Sequence, residues 1–172
     1  SSSSNTLTFS TTGSASSASS ASYIDGPVAK NTNSTSKFDF PVGNSNFYQP
    51  ISITPVSSTA TTYEAQFFRA EQSQGSSVGT GVDHISSRDH WTMERTSGSV
   101  NAAVTLSWDW SPETEIDDLN DLIACQWDGS EWDDAGGAST TGDVDSGTIT
   151  SNTVTSFTST TKYFVLGSST TD

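Results

Sequence analysis

No stretch of this chain sustains the 3.6-residue apolar repeat that an amphipathic helix needs. What recurs is short runs of alternating apolar and polar residues, ended by Gly, Pro, Asn or Asp. Tyr23-Ile24 leads into a turn at Asp25-Gly26-Pro27. Lys37–Phe40 alternates and is broken by Pro41-Val42-Gly43-Asn44. Phe47–Thr54 alternates again and stops at Pro55. Thr61–Ala70 puts Tyr63, Ala65 and Phe67 on one face. His90–Arg95 and Ala102–Trp108 read as further strands. Leu122–Trp127 and Glu131-Trp132 flank Asp128-Gly129, a tight-hairpin signal. Thr148–Thr150, Val154–Phe157 and Lys162–Leu166 complete the set. Gln72–Gly81 and Ser111–Asn120 read as polar loops. About ten strands in 172 residues predict an all-β fold, an antiparallel two-sheet β-sandwich.

Composition tests whether such a sandwich can have a core. Only 31% of residues are hydrophobic, and Ser and Thr make up about a third. With a net charge of −14 that leans toward disorder. Eight Phe, five Trp and four Tyr argue back, because each buried aromatic removes about 150–250 Å² from water. A thin aromatic core is expected. The single Cys125 cannot form an internal disulfide, and its place between Ala124 and Gln126 predicts a small core residue. Residues 1–21 are Ser/Ala/Thr-rich and read as a strand or linker ahead of a β-domain over 22–172. Leu7 and Phe9 alternate within it. Such a strand is ordered only where something pairs with it, its own domain or a neighbour. No apolar run approaches the ~20 residues of a membrane span, so no membrane insertion is expected. The start at Ser1 without a signal peptide suggests a mature or excised piece.

Charge is unevenly placed. Twelve of the 20 acidic residues fall between Asp109 and Asp145, and no Lys or Arg occurs between Arg95 and Lys162. Uncompensated carboxylates repel as a chain compacts, so these must face water, a cation or a basic partner. Six scattered basic residues exclude a phosphate-binding surface, and nucleic acid is not an expected partner. Calcium, which takes 6–8 oxygen ligands, would draw on Asp117, Asp118 and Asp121 in one loop and on Asp128, Asp133 and Asp134 around the hairpin. Neither group follows the EF-hand spacing. The competing explanation is a hydrated acidic surface suited to saline water.

Four of the five Trp lie in the same acidic stretch. Trp108, Trp110, Trp127 and Trp132 could stack on sugar rings or fill the core. Trp110, between Asp109 and Ser111-Pro112, is the one expected to face a ligand. Of the two His, His84 follows Asp83 and His90 follows Asp89, with no third metal ligand at a telling spacing. His90 is expected at the surface or an edge. Ser is too common for a Ser near a His to signal a nucleophile, and no Gly-x-Ser-x-Gly phrase occurs. A hydrolase would need a cleft holding two carboxylates.

The phrases Tyr23-Ile-Asp-Gly-Pro-Val-Ala-Lys30, Phe38-Asp-Phe-Pro-Val-Gly43, Tyr48-Gln-Pro-Ile-Ser-Ile53, His90–Thr96, Ala103–Trp108, Leu122–Trp132, Thr148–Phe157 and Tyr163–Gly167 stand in this order along the chain. Together they resemble a module of large secreted and cell-surface proteins of Bacteroidota that are associated with type IX secretion. Thr158–Lys162 departs from the family's phrase. Asn5–Phe9 resembles the last rung of a preceding repeat region. The resemblance implies an extracellular β-sandwich with structural or adhesive roles, one module among neighbouring modules or subunits, and no catalytic residues to carry over. The expected function is a non-catalytic structural or adhesive β-domain of a surface assembly, pairing by strands. The alternative is a calcium-dependent module that binds surface glycans.

Overall fold

The computed structural model describes residues 5–109, 116–154, 157 and 160–171. The described residues hold fifteen β-strands and no α-helix: β1 (Leu7–Phe9), β2 (Val28–Thr32), β3 (Phe38–Phe40), β4 (Gly43–Asn44), β5 (Phe47–Tyr48), β6 (Ile51–Pro55), β7 (Thr61–Phe68), β8 (His84–Ile85), β9 (His90–Ser97), β10 (Ala102–Trp108), β11 (Leu122–Trp127), β12 (Trp132–Asp134), β13 (Ser139–Gly142), β14 (Gly147–Val154) and β15 (Lys162–Ser168). The larger sheet runs β1-β2-β7-β9-β15-β11-β12, with β8 on the end of β15. The smaller runs β13-β14-β10-β6-β3. All pairs are antiparallel except β1 with β2. The two sheets stack as a sandwich, β3 over β2, β6 over β7 and β14 over β11.

Period-2 alternation explains the stacking. Tyr63, Ala65 and Phe67 of β7 point inward, as do Val104, Leu106 and Trp108 of β10; all are buried between the sheets with Phe40, Ile51, Ile53, Trp91 and Ile149. The Tyr63 hydroxyl donates to Val100 O at 2.6 Å, so its burial leaves no orphan group. The same burial pushes its pKa up to about 12.

A second, smaller core lies on the outer face of the larger sheet. Val82, Ile123, Cys125, Trp132 and Val165 are buried there beneath the 72–89 loop, which contributes Val78 and Ile85. This explains why Leu122-Ile-Ala-Cys125 and Phe164-Val165 are apolar on consecutive residues: these strands are covered on both faces. Cys125 is fully buried, and desolvation pushes its thiol up to about 12.

Within the described part of the Ser-rich segment, the contacts of β1 and the turn after it are with their own chain. β1 lies parallel to β2, Leu7 opposite Val28 and Phe9 opposite Lys30. Phe9 packs on Phe38 with ring centroids 5.4 Å apart. Lys30 turns its ammonium over the Phe38 ring, 4.7 Å from the centroid, and donates to the carbonyls of Ser10, Thr11 and Gly13. One buried cation thereby closes the turn after β1.

Three local readings change. Asn44-Ser-Asn-Phe47 is a tight hairpin between β4 and β5, with Ser45 and Asn46 both at positive φ. The hairpin after β11 turns around Gly129-Ser130, with Asp128 N donating to Glu131 O at 3.1 Å; Asp128 is its first flank. The run at 148–150 continues to Val154 as one strand, β14, through an irregularity where Ser151 and Asn152 oppose Val104, and residues 155 and 156 of the expected 154–157 run lie outside the described residues.

Candidate functional site

One end of the sandwich opens into a cleft. Gln49 follows β5, Arg69 follows β7, Ser86, Arg88 and Asp89 lie between β8 and β9, and Asp109, Ile116, Asp117 and Asp118 follow β10. Trp91, Trp108, Leu122 and Leu166 form the floor, and His84 and Ser168 close the far wall. The position follows from topology: β9 and β11 begin here while β10 and β15 end, so their connecting loops meet over the open edge of the core. Such loop clusters carry the binding residues of many sandwiches.

The best-defined polar feature is an ion pair. Arg69 Nη1 donates to Asp89 Oδ2 at 2.6 Å, with both side chains less than one-fifth exposed. The Arg69 guanidinium also stacks on Phe47, 3.9 Å from the ring centroid. That cation–π contact fixes its plane, and Arg69 N donates to Asn44 Oδ1 at 3.3 Å. The β4–β5 hairpin is thus the support that aims Arg69 into the cleft. Gln49 is a second brace. With Nε2 donating to Ser107 Oγ at 3.2 Å, its Oε1 accepts from Asp109 N at 3.1 Å. The indole nitrogens of Trp91 and Trp108 donate to Gln49 O and Asp143 O, so both rings are anchored as floor. The cavity volume is about 80 Å³. That is far below the ~300–1,000 Å³ of a site for a whole small molecule, and suits one terminal group of a larger ligand.

The carboxylates singled out as calcium ligands divide between this cleft and separate turns. Asp117 and Asp118 line the cleft, and Asp118 Oδ1 accepts from Asn120 N at 2.8 Å. Asp121 accepts from the Thr170 hydroxyl instead. Asp128 Oδ1 accepts from Ser130 N, Ser130 Oγ and Glu131 N, and these bonds, led by that from Glu131, hold its pKa below the usual carboxylate range. Asp134 Oδ1 accepts from Gly136 N at 2.6 Å, and Asp133 is exposed on β12. Among the described residues no three His, Cys, Asp or Glu side chains converge as a metal-ligand set.

Trp110 lies outside the described residues. Trp108 and Trp132 are core residues, and Trp127 is half-buried against Trp132 at 5.5 Å. His90 is a correction. It is 8% exposed rather than superficial, stacked on Phe68 with centroids 4.7 Å apart. Its Nδ1 donates to Ala70 O at 2.8 Å, which places the proton on that nitrogen. Desolvation lowers its pKa despite this bond. His84 lies at the cleft wall, its Nδ1 3.1 Å from Asp83 Oδ2.

No family model, curated protein or solved structure matches this chain.

Sequence reasoning did not single out Arg69 or Arg88. The available signal was scarcity: this strongly acidic chain has only three Arg, and two of them line one cleft.

Proposed function

We propose that this chain is a non-catalytic adhesive β-domain of an extracellular or cell-surface assembly, and that its end cleft grips a terminal sugar of a surface glycan. The observation that carries the reading is the gathering of two of three arginines and one of two histidines beside four aspartates, in a chain of net charge −14. A sugar hydroxyl donates and accepts at once, so it fits between a guanidinium and a carboxylate. A simple anion would meet four aspartates, and a simple cation two arginines. The small cavity matches the edge of one ring. The phrases shared with secreted Bacteroidota modules support the extracellular setting.

A calcium requirement is not part of the proposal, because Asp118, Asp128 and Asp134 already accept backbone N–H groups in their own turns. A glycosidase would need two opposed carboxylates, one of them a proton donor. In this cleft Asp89 is engaged by Arg69, which supports binding over acid catalysis.

A glycan array, run with and without chelator, tests the reading. Binding is expected in both conditions. Arg88→Ala is expected to weaken it at least tenfold, with the β-sheet circular dichroism spectrum retained. Arg69→Lys, which retains charge but not the planar fork, is expected to weaken it too. An array with no hits, or binding indifferent to both substitutions, overturns the cleft assignment.

A further inference from the structure

The smaller sheet ends at β3 on one side and at β13 on the other. The β3 edge carries the Lys37–Asp39 ion pair at 3.0 Å, and charge on an edge is a common guard against further pairing. β13, Ser139-Thr-Thr-Gly142, holds no charge and no Pro. Every residue from Gly137 to Ser146 is exposed, so this edge is open to solvent. Asp143 N donates to Ser146 O across the β13–β14 turn. Alternation then directs the main-chain groups of Thr141 and Ser139 at Thr148 and Thr150, and those of Thr140 away from β14.

The outer face of the sheet shows what a further strand would meet. Register places Ser52, Thr105, Thr150 and Ser139 in one row across the strands. The next row ends with Thr148 and Thr141. Hydroxyls bond along both rows, Thr105 Oγ1 with Thr150 Oγ1 at 2.9 Å and Thr141 Oγ1 with Thr148 Oγ1 at 2.8 Å. Cross-strand Thr pairs of this kind stabilise a sheet. A strand added at β13 continues both rows where it sets Ser or Thr beside Ser139 and Thr141.

Both ends of β13 are acidic. The turn after it holds Asp143 and Asp145. Asp133 and Asp134 lie beyond its other end, bordering one hollow with Asn152 and Thr153 of β14. All four aspartates are exposed. Asp134 and Asp143 accept backbone N–H groups of their own turns, which leaves their charge uncancelled. No Lys or Arg occurs from Thr96 to Thr161, and among the described residues none of the four aspartates is in an ion pair.

We infer that β13 is a docking edge for an extended segment of another protein, one with Ser or Thr at alternate positions and Lys or Arg at its ends. Main-chain hydrogen bonds to Thr140 seat the segment. The acidic ends select its charge and steer its approach. A second copy of this chain has no such segment to offer. Lys30 is buried on the carbonyls of Ser10, Thr11 and Gly13, Lys37 is paired with Asp39, and Arg69 with Asp89. Arg95 donates to Val100 O and Asn101 Oδ1, Arg88 lies in the cleft, and Lys162 lies in β15 between two other strands. An edge of four residues offers few bonds, so charge supplies much of the affinity and salt weakens it. The inference goes beyond the cleft and does not rest on it.

The test uses a labelled synthetic peptide of alternating Thr and Val with Lys at both ends, titrated with the whole chain at low and at saline ionic strength. Binding is expected, weaker at the higher salt, and hydrogen exchange at the Thr140 amide should slow in the complex. The same peptide methylated on its interior backbone nitrogens keeps its charge but cannot pair, and should bind at least tenfold more weakly. So should a counterpart with Glu at both ends. Thr140→Pro, which deletes the outward N–H and spares the bonds to β14, should weaken binding of the Lys peptide at least tenfold. No binding of the Lys peptide overturns the inference. Equal binding of the methylated peptide, with no slowing at Thr140, shows attraction by charge alone and overturns the docking edge. Mass that grows with concentration for the chain alone, and no longer grows in Thr140→Pro, makes a second copy the occupant and overturns the choice of partner. None of these outcomes bears on the cleft.

Discussion

The Lys30 ammonium donates to the Gly13 carbonyl at 2.7 Å, and to Ser10 O and Thr11 O beside it. No carboxylate takes part in these bonds. Burial lowers the lysine's pKa, and three carbonyl dipoles with the face of Phe38 stand in for water. The turn after β1 is tied to the sandwich by this one group.

Lys30→Met should therefore release residues 10–21 while sparing both cores. Hydrogen bonds to a charged group are worth about 1.5–3 kcal/mol each in a buried setting. The freed carbonyls can rehydrate, so a net loss of about 2 kcal/mol is expected in urea unfolding. Limited proteolysis should cut between Ser10 and Ala21 in the variant and leave the parent intact. Equal protease resistance would show that β1 and Phe9 suffice.

The strands that could be read from sequence are those with one buried face. Ala102–Trp108 was expected and found with the same bounds, because Val104, Leu106 and Trp108 alternate against polar partners. β13 left no such trace: all four residues are exposed, so no apolar period marks it. The β4–β5 hairpin was hidden because Pro41 and Gly43 look like breakers, and the positive φ at Ser45 and Asn46 is held by contacts such as Tyr23 OH accepting from Asn46 N. The burial of His90 depends on Phe68, its partner across the β7–β9 pairing. The cleft draws on residues from Gln49 to Ser168, and no local spacing foretells such a meeting.

His90 should make stability depend on pH above the carboxylate range. Its folded pKa lies below the ordinary value of 6.5, so the unfolded chain binds more protons in the window between the two. Stability is then complete above about pH 6.5 and is lost as pH falls toward the folded value. The carboxylates of Asp39, Asp83 and Asp128 are also shifted downward, so their losses begin only below about 3.9. Melting temperature should be level from pH 8 to 6.5 and decline from 6.5 to 4.5. His90→Gln should flatten that decline while lowering the plateau. An equal slope in the variant would assign the loss to other groups.

Gly147 is a tight point between β13 and the core. A Cβ built there would stand 2.1 Å from Thr141 O and 2.4 Å from Cζ2 of Trp108. Backbone cannot yield easily inside a paired hairpin, and Trp108 is held by its bond to Asp143 O. Gly147→Ala should cost about 2–3 kcal/mol as an overpacked site and red-shift the tryptophan emission as Trp108 is displaced. Unchanged emission with unchanged stability would mean that the hairpin shifts freely.

The acidic run can now be placed on the fold. Its apolar members Leu122, Ile123 and Trp132 are buried in two cores, while Asp133, Asp134, Asp143 and Asp145 are exposed on or beside β12 and β13. Repulsion among such carboxylates acts through water and is screened over about 10 Å at 0.1 M salt and about 3 Å at 1 M. Raising NaCl from 10 mM to 1 M should therefore stabilise the chain by about 1–2 kcal/mol, roughly 3–6 °C in melting temperature for a domain of this size. Because the turn carboxylates at Asp118, Asp128 and Asp134 already accept backbone N–H groups, calcium chloride at matched ionic strength should add no further shift. Melting curves in the two salts, each repeated with chelator, decide the matter. A calcium-specific rise at micromolar concentration, erased by chelator, would mean that Asp117, Asp118 and Asp121, or Asp128, Asp133 and Asp134, rearrange around an ion.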